Sequence, residues 1–254
     1  MRKMPLCAIA AGFFLAGAQA DAAELKVFVG GAMTETVEKI GADYARMSGN
    51  KLEYVSDTTG ALLNRLKAGE KPDVIVVTAP AMDGLVKDGA LVSGSRAELV
   101  RALIGVAMKP GGKAPDLSSP DSFKASLLAA RTVSYVNPKA GGTSGTYFEG
   151  LLVKMGIADQ MKPKIVYRNQ GSEVADAVAK GDAELGVSFI AELAPNKGVK
   201  VAGPLPNAIQ LPTNYAAGIP SGSANQAAAK GFIAAMRGPS GTAVFKAAGL
   251  EPLP

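Results

Sequence analysis

The stretch LKVFVGGAM, residues 25–33, decides the architecture. Leu25 to Val29 is a short apolar run that ends at Gly30 and Gly31, which reads as a buried strand followed by a tight turn. Met33, Val37, Ile40, Tyr44 and Met47 then recur at helical spacing and give one apolar face. The same strand-turn-helix unit repeats downstream. Strands are expected at residues 52–55 and 74–77, with helices over 60–68 and 81–87. A second set follows, with strands at 132–136, 164–167 and 185–189 and helices over 145–155 and 174–180. Repeats of this kind predict parallel sheets flanked by helices.

Between the two sets, Leu103 to Met108 followed by Lys109-Pro110-Gly111-Gly112-Lys113 reads as a crossing strand and its exit. Tyr215 to Ile219 reads as the return crossing, and helices over 227–236 and 242–248 close the chain. The fold class is therefore α/β, in two lobes, each a mostly parallel sheet flanked by helices. Lobe 1 is expected to hold residues 21–105 and 216–254, and lobe 2 residues 106–215. Two crossings make a hinged clamp, and ligands of such sheets bind at the carboxyl ends of the strands.

Outward from this core, the first twenty residues read as a signal peptide. Arg2 and Lys3 precede the apolar stretch Leu6 to Ala18, and Ala18-Gln19-Ala20 has a small-x-small cleavage form. Ala20-Asp21-Ala22 offers a second register, so cleavage is placed at 20–23. The apolar stretch is too short to cross a bilayer core of roughly 30 Å. Cys7, the one cysteine of the chain, lies inside this segment, and the chain has no histidine. Disulfide frameworks, Cys/His metal sites and Ser-His or Cys-His nucleophile pairs are excluded from the rest. Export without disulfides fits a Gram-negative periplasm. Of 27 basic residues, 25 remain without Arg2 and Lys3, against 22 acidic ones. That small surplus agrees with an anionic ligand without requiring one, and no nucleic-acid partner is expected.

Four strand-to-helix junctions carry small or polar residues: Gly30-Gly31-Ala32, Thr58-Thr59-Gly60, Gly141-Gly142-Thr143-Ser144-Gly145 and Asn169-Gln170-Gly171-Ser172. First-turn N–H groups lack intrahelical partners and carry partial positive charge, so an anion placed there gains several bonds. Glycine admits close backbone approach, and Ser or Thr adds a hydroxyl. Each junction alone also reads as ordinary capping. Ser144 is in no G-x-S-x-G elbow, and no phosphate-loop lysine or dinucleotide fingerprint follows these glycines. Arg168, just after a strand, reads either as a pocket cation able to grip a carboxylate or as a solvated loop arginine.

With these junctions in place, the chain resembles the periplasmic molybdate-binding proteins of ABC importers over essentially its whole mature length. LKVFVGGAM (25–33) is similar to their opening strand and loop. GALLNRLKAG (60–69) with PDVIV (72–76) is similar to a helix and strand that follow, and GDAELGV (181–187) matches their G-x-A-D-x-G-I segment. The resemblance implies the type II periplasmic binding protein fold, a desolvated oxyanion held by neutral donors, and importer membrane subunits as partners of a monomer. The junctions, Arg168 and the resemblance together give an expected ligand-binding set of Gly31, Ala32, Thr58, Thr59, Thr143, Ser144, Arg168, Gly171, Ser172 and Phe189. No metal and no cofactor is expected.

Two positions depart from that pattern. The family's hydroxyl-bearing serine falls at Ala32 here, and its tyrosine falls at Phe189, while a hydroxyl is kept at Thr58 or Thr59. Each lost bond to a buried anion costs roughly 1.5–3 kcal/mol, so the double loss weakens molybdate binding by about two orders of magnitude or more. A more open, less donor-rich pocket with Arg168 nearby suits an organic carboxylate, which is the expected ligand instead. The periplasmic aconitate isomerase, which interconverts trans- and cis-aconitate, resembles the same family and supplies the alternative: a cofactor-free proton shift. Tyr147 is the candidate proton carrier for that reaction, against a reading as a cleft-wall aromatic.

Overall fold

A computed structural model describes residues 22–254. The expected signal peptide, residues 1–20, lies outside the described residues. β1 (Glu24–Gly30), α1 (Thr34–Ser48), β2 (Lys51–Asp57), α2 (Thr59–Lys67), β3 (Val74–Thr78) and α3 (Ala79–Lys87) build the start of the first lobe. β1 is flanked in parallel by β2 and β3. Leu25, Val27, Phe28 and Val29 of β1 are all fully buried. A strand covered on both faces reads as a continuous apolar run, which is why this segment was legible.

β4 (Ala97–Ala102) and β5 (Ile104–Met108) carry the chain across, with only Leu103 between them. α4 (Pro120–Ala129), β6 (Val133–Val136), α5 (Thr143–Lys154), α6 (Ala158–Met161), β7 (Ile165–Arg168), α7 (Gly171–Lys180), β8 (Leu185–Phe189), α8 (Ile190–Leu193) and β9 (Lys200–Pro204) form the second lobe. β10 (Thr213–Gly218), α9 (Gln226–Arg237), α10 (Pro239–Ala247) and β11 (Glu251–Pro252) then return to the first. The strand orders are β11-β4-β10-β3-β1-β2 and β7-β6-β8-β5-β9.

Parallel pairing occupies one end of each sheet, β2-β1-β3 in one and β7-β6-β8 in the other, with β2 and β7 as edge strands. The crossing strands add antiparallel partners: β10 lies against β3, and β5 against β8. The crossing therefore falls at Leu103 and the return between residues 204 and 213, a few residues away from the boundaries expected at 105 and 215. β4 was not expected as a strand. Its sequence, AELVRA, favours helix by composition, but backbone pairing with β10 on one side and β11 on the other sets its conformation.

In the second lobe, Phe148 of α5 packs edge-on to Tyr135 at 5.0 Å and lies 6.4 Å from Phe123. This cluster fastens α5 to β6 and so fixes where the start of α5 points. In the first lobe, Tyr44 of α1 meets Phe232 of α9 at 5.4 Å.

Gln210 ties the two crossings together. Its Oε1 accepts from the Ile104 N–H at 3.0 Å and from the Leu211 N–H at 3.0 Å, and its Nε2 donates to the Ile104 carbonyl at 2.8 Å. The amide thus occupies the place of a strand neighbour for Ile104. Gln210→Ala strips the Ile104 N–H of this acceptor, which is expected to cost roughly 1–3 kcal/mol. Urea unfolding should show a lower midpoint at unchanged slope; an unmoved midpoint refutes the assignment.

Candidate functional site

The carboxyl ends of the strands meet around one cavity of about 20 Å3, the scale of a single water molecule. Gly31 follows β1, and Asp57, Thr58 and Thr59 end β2 and begin α2. Val136, Gly142, Thr143 and Ser144 lead from β6 into α5, and Gln170 and Gly171 open α7. Phe189 and Glu192 come from β8 and α8, and Tyr215 from β10. Three helices of nine, twelve and ten residues, α2, α5 and α7, therefore start at this cavity.

The two lobes close on bare backbone. The Gly60 N–H donates to the Gly141 carbonyl at 3.2 Å, and a Cβ on Gly60 would lie 2.9 Å from the Gly141 Cα. Beside it, the Thr58 hydroxyl donates to the Ala140 carbonyl across the cleft at 2.5 Å and accepts from the Ala61 N–H at 3.2 Å. That hydroxyl caps α2 and bridges the lobes, so both of its roles are already filled by backbone.

Seven of the ten expected ligand-contacting residues line the cavity: Gly31, Thr58, Thr59, Thr143, Ser144, Gly171 and Phe189. Three do not. Ala32 is buried and turned to a separate surface pocket with Glu35 and Lys39. Ser172 is exposed on the first turn of α7. Arg168 is the last residue of an edge strand, and its Nη2 donates to Asp182 Oδ2 at 2.8 Å, so its charge is engaged away from the cavity. Tyr147 also falls elsewhere. It sits one turn into α5, and its hydroxyl donates to the Ile209 carbonyl at 2.9 Å, part of the hinge. Among the described residues that line the cavity there is no lysine or arginine, and no group of three His, Cys, Asp or Glu is placed to hold a metal.

The chemistry that sequence reasoning missed is Glu192. The residue keeps some exposure as a whole, but its carboxyl group is walled in. Oε2 accepts from the Ser188 hydroxyl at 2.6 Å, and Ser188 Oγ lies 3.3 Å from Ser144 Oγ. Ser144 and Ser188 are both buried. A Cβ on Gly31 would sit 2.6 Å from Oε1, and one on Gly171 would overlap the carboxyl group. Glu192 of the second lobe therefore reaches the loop after β1 in the first lobe and the start of α7 in its own. Burial pushes its carboxyl up to about 7, against the opposing pull of the Ser188 hydroxyl and the Phe189 N–H. Tyr215 stands near it, pushed well above the ordinary phenol by burial and by the Glu192 charge. Tyr215 also packs edge-on to Phe189 at 5.9 Å, so a phenol stands beside the ring at residue 189, which has no hydroxyl. One sequence signal for Glu192 existed: a glutamate three residues after a strand-ending Phe189 is the N3 position of a helix, where a carboxylate reaches back to the cap N–H.

Residues 25–251 match the family model described as bacterial extracellular solute-binding protein, and the chain belongs to that family. An aconitate isomerase from a Pseudomonas species is 28% identical over 235 residues, covering 91% of this chain and 88% of the relative. The molybdate-binding protein ModA of Azotobacter vinelandii is 29% identical over 254 residues, 95% of each chain. The solved periplasmic molybdate-binding protein of Azotobacter vinelandii superposes with a TM-score of 0.72 at 25% identity, over 91% of this chain and 99% of that one. The two-lobed type II periplasmic binding fold is thus shared.

Two outcomes are expected from this geometry. Gly60→Ala adds a methyl group where the lobes touch, in the first turn of a helix that alanine favours. Small-angle scattering should show a more open clamp with a melting temperature that does not fall, whereas a clamp of unchanged radius overturns the contact. The second concerns Glu192 and pH. Its folded value lies above the unfolded one of 4.5, so the stability it contributes is fully present below pH 4.5. It is lost as pH rises to about 7, up to about 3 kcal/mol in all. Glu192→Gln lacks that loss, so the variant should gain on the wild type across this window. Parallel stability curves refute it.

Proposed function

We propose that this extracellular solute-binding protein closes its lobes over a small organic carboxylate in the periplasm and delivers it to the membrane subunits of an ABC importer. The observation that carries the reading is the composition of the cavity wall. Three helix N-termini supply partial positive charge with no lining lysine or arginine, which suits an anion held by neutral donors. The rest of the wall favours a ligand with a carbon body. Phe189, Val136 and Tyr215 offer apolar surface, which a bare tetrahedral oxyanion cannot use. Ala32 is turned away, Phe189 has no hydroxyl, and the Thr58 hydroxyl is already shared between Ala61 and Ala140.

Glu192 supports a second reading, an isomerase acting on an unsaturated polycarboxylate. Its carboxyl titrates close to neutrality inside the cavity, the range that suits a group which both removes and returns a proton. In an allylic shift, a methylene C–H bond breaks, the double bond moves by one carbon, and the same proton returns at the far carbon, with no oxidant or cofactor. Glu192 takes the part first expected of Tyr147.

A thermal-shift series with molybdate, sulfate, phosphate, citrate and both aconitates tests the first reading. A true ligand at one hundred times its dissociation constant adds about 2.7 kcal/mol. Carboxylates are expected to stabilise the protein more than molybdate does, and the reverse order overturns the proposal. Proton NMR of trans-aconitate with the purified protein tests the second. Appearance of the cis isomer, abolished in Glu192→Gln, supports it, and an unchanged spectrum removes it.

A further inference from the structure

We infer that Glu192 makes the cleft bind its anion together with one proton, held between the Glu192 carboxyl and an oxygen of the ligand, and that the ionised side chain is an internal occupant that keeps anions out. The inference rests on the reading of the cavity as an anion site. Three observations on the geometry lead to it. The carboxyl group fills the space between Gly31 and Gly171, where a side chain on either glycine would overlap it or press on it. It therefore stands at the start of α7, where the anion itself would gain most. The remaining free cavity of this closed arrangement, about 20 Å3, is smaller than an organic anion, so the lobes part or the side chain shifts when one enters and comes to lie against the carboxyl. Finally, no basic side chain lines the cavity to hold two negative groups together.

The other charged groups near Glu192 are engaged with partners of their own or stand outside the cavity. Asp57 faces the cavity from β2, but its Oδ1 accepts from the Thr58 N–H and its Oδ2 lies 4.0 Å from Arg65. Tyr215 from β10 stays protonated far above neutrality. Ser144 and Ser188 are hydroxyls. On α7, Glu173 accepts from the Asn169 N–H and Asp176 from the Asn196 amide. On the far side of α8, Glu35, Lys39 and Lys197 line the separate surface pocket. Two carboxylates cannot share a dry site as anions, and one proton between them removes the conflict.

The hydroxyl chain gives this proton a defined switch. When Glu192 is ionised, Ser188 donates to it, and Ser188 can accept from Ser144. When Glu192 is protonated, its O–H becomes a donor that can turn to a ligand oxygen, and the Ser188 hydroxyl is released to donate elsewhere. Protonation thus converts a repulsive acceptor into one more neutral donor of the anion site.

Isothermal titration of the full-length mature protein with citrate and with trans-aconitate tests the linkage. Wild-type affinity is expected to fall about 30-fold between pH 6 and pH 8.5, with close to one proton taken up per ligand at pH 8, read from heats in buffers of different ionisation enthalpy. Glu192→Gln should bind more tightly than wild type at pH 8.5 and show no proton uptake. Ser188→Ala removes a bond that favours the ionised form, so its break in affinity should move to higher pH, which keeps the test open should the Gln variant fail to fold. Binding of either carboxylate with pH-independent affinity, or a pH slope that persists in Glu192→Gln, overturns the inference while the carboxylate reading stands. No binding of either probe at any pH removes both.

Discussion

Like poles meet in this cleft. The starts of α2, α5 and α7 converge on one small cavity, each carrying partial positive charge on first-turn N–H groups. Left empty of anything negative, three such ends repel one another, and the closed form would be disfavoured. The chain answers with its own groups. The Gly141 carbonyl accepts from α2, the Thr58 hydroxyl accepts from α2 and reaches Ala140, and Glu192 lays a carboxyl against the start of α7. The closed clamp is thus held by internal substitutes for a ligand. Glycines at 31, 60, 141 and 171 let those substitutes approach so closely.

What could be read from the sequence follows from what each element buries. β1, β3 and β8 are largely buried and appear as mostly apolar runs, with Lys26 the one charged residue between their ends and Ser188 the one hydroxyl in β8. β4 was invisible because its pairing comes from β10 and β11, residues more than a hundred positions away. Most of the cavity wall was legible for a related reason: Gly141 to Ser144 and Thr58 to Thr59 are local turn chemistry, and turns announce themselves in composition. Arg168 misled because a charge after a strand says nothing about which edge of the sheet the strand occupies; Asp182, fourteen residues on, holds it. Glu192 was missed because α8 has four residues, too few for any periodicity. Its role is set by what stands opposite, Gly31 across the cleft, and no local pattern contains that fact.

The relatives share the fold, and within it the cavity wall of this chain is shaped by single side chains. At residue 189 a ring without a hydroxyl packs on Tyr215, so a phenol is supplied from the returning strand β10. At residue 32 a small apolar side chain faces away from the cavity, toward α1 and α10. Such exchanges leave backbone donors untouched, because N–H groups at helix starts do not depend on residue type. A scaffold of this kind can keep its affinity for negative charge while the shape and protonation of its guest change.

Protonation is where this cleft departs furthest from a simple anion trap. A lysine or arginine in the wall would hold Glu192 ionised throughout the physiological range, by a favourable charge pair. Ordinary solvent exposure would do the same by hydration. Neither is present: the wall has no basic residue, and the carboxyl is enclosed. Opposing the burial stand one hydroxyl bond and one backbone N–H, each a charge-assisted bond of about 1.5–3 kcal/mol. These bonds offset part of the desolvation and leave the carboxyl near neutrality, where a small change in surroundings decides its charge. An arriving carboxylate is such a change, since it adds a negative charge within contact distance. The ligand and the proton therefore belong to one equilibrium. A carboxyl poised in that way serves a binding protein as a selector and an isomerase as a proton carrier, so one side chain underlies both readings of the site.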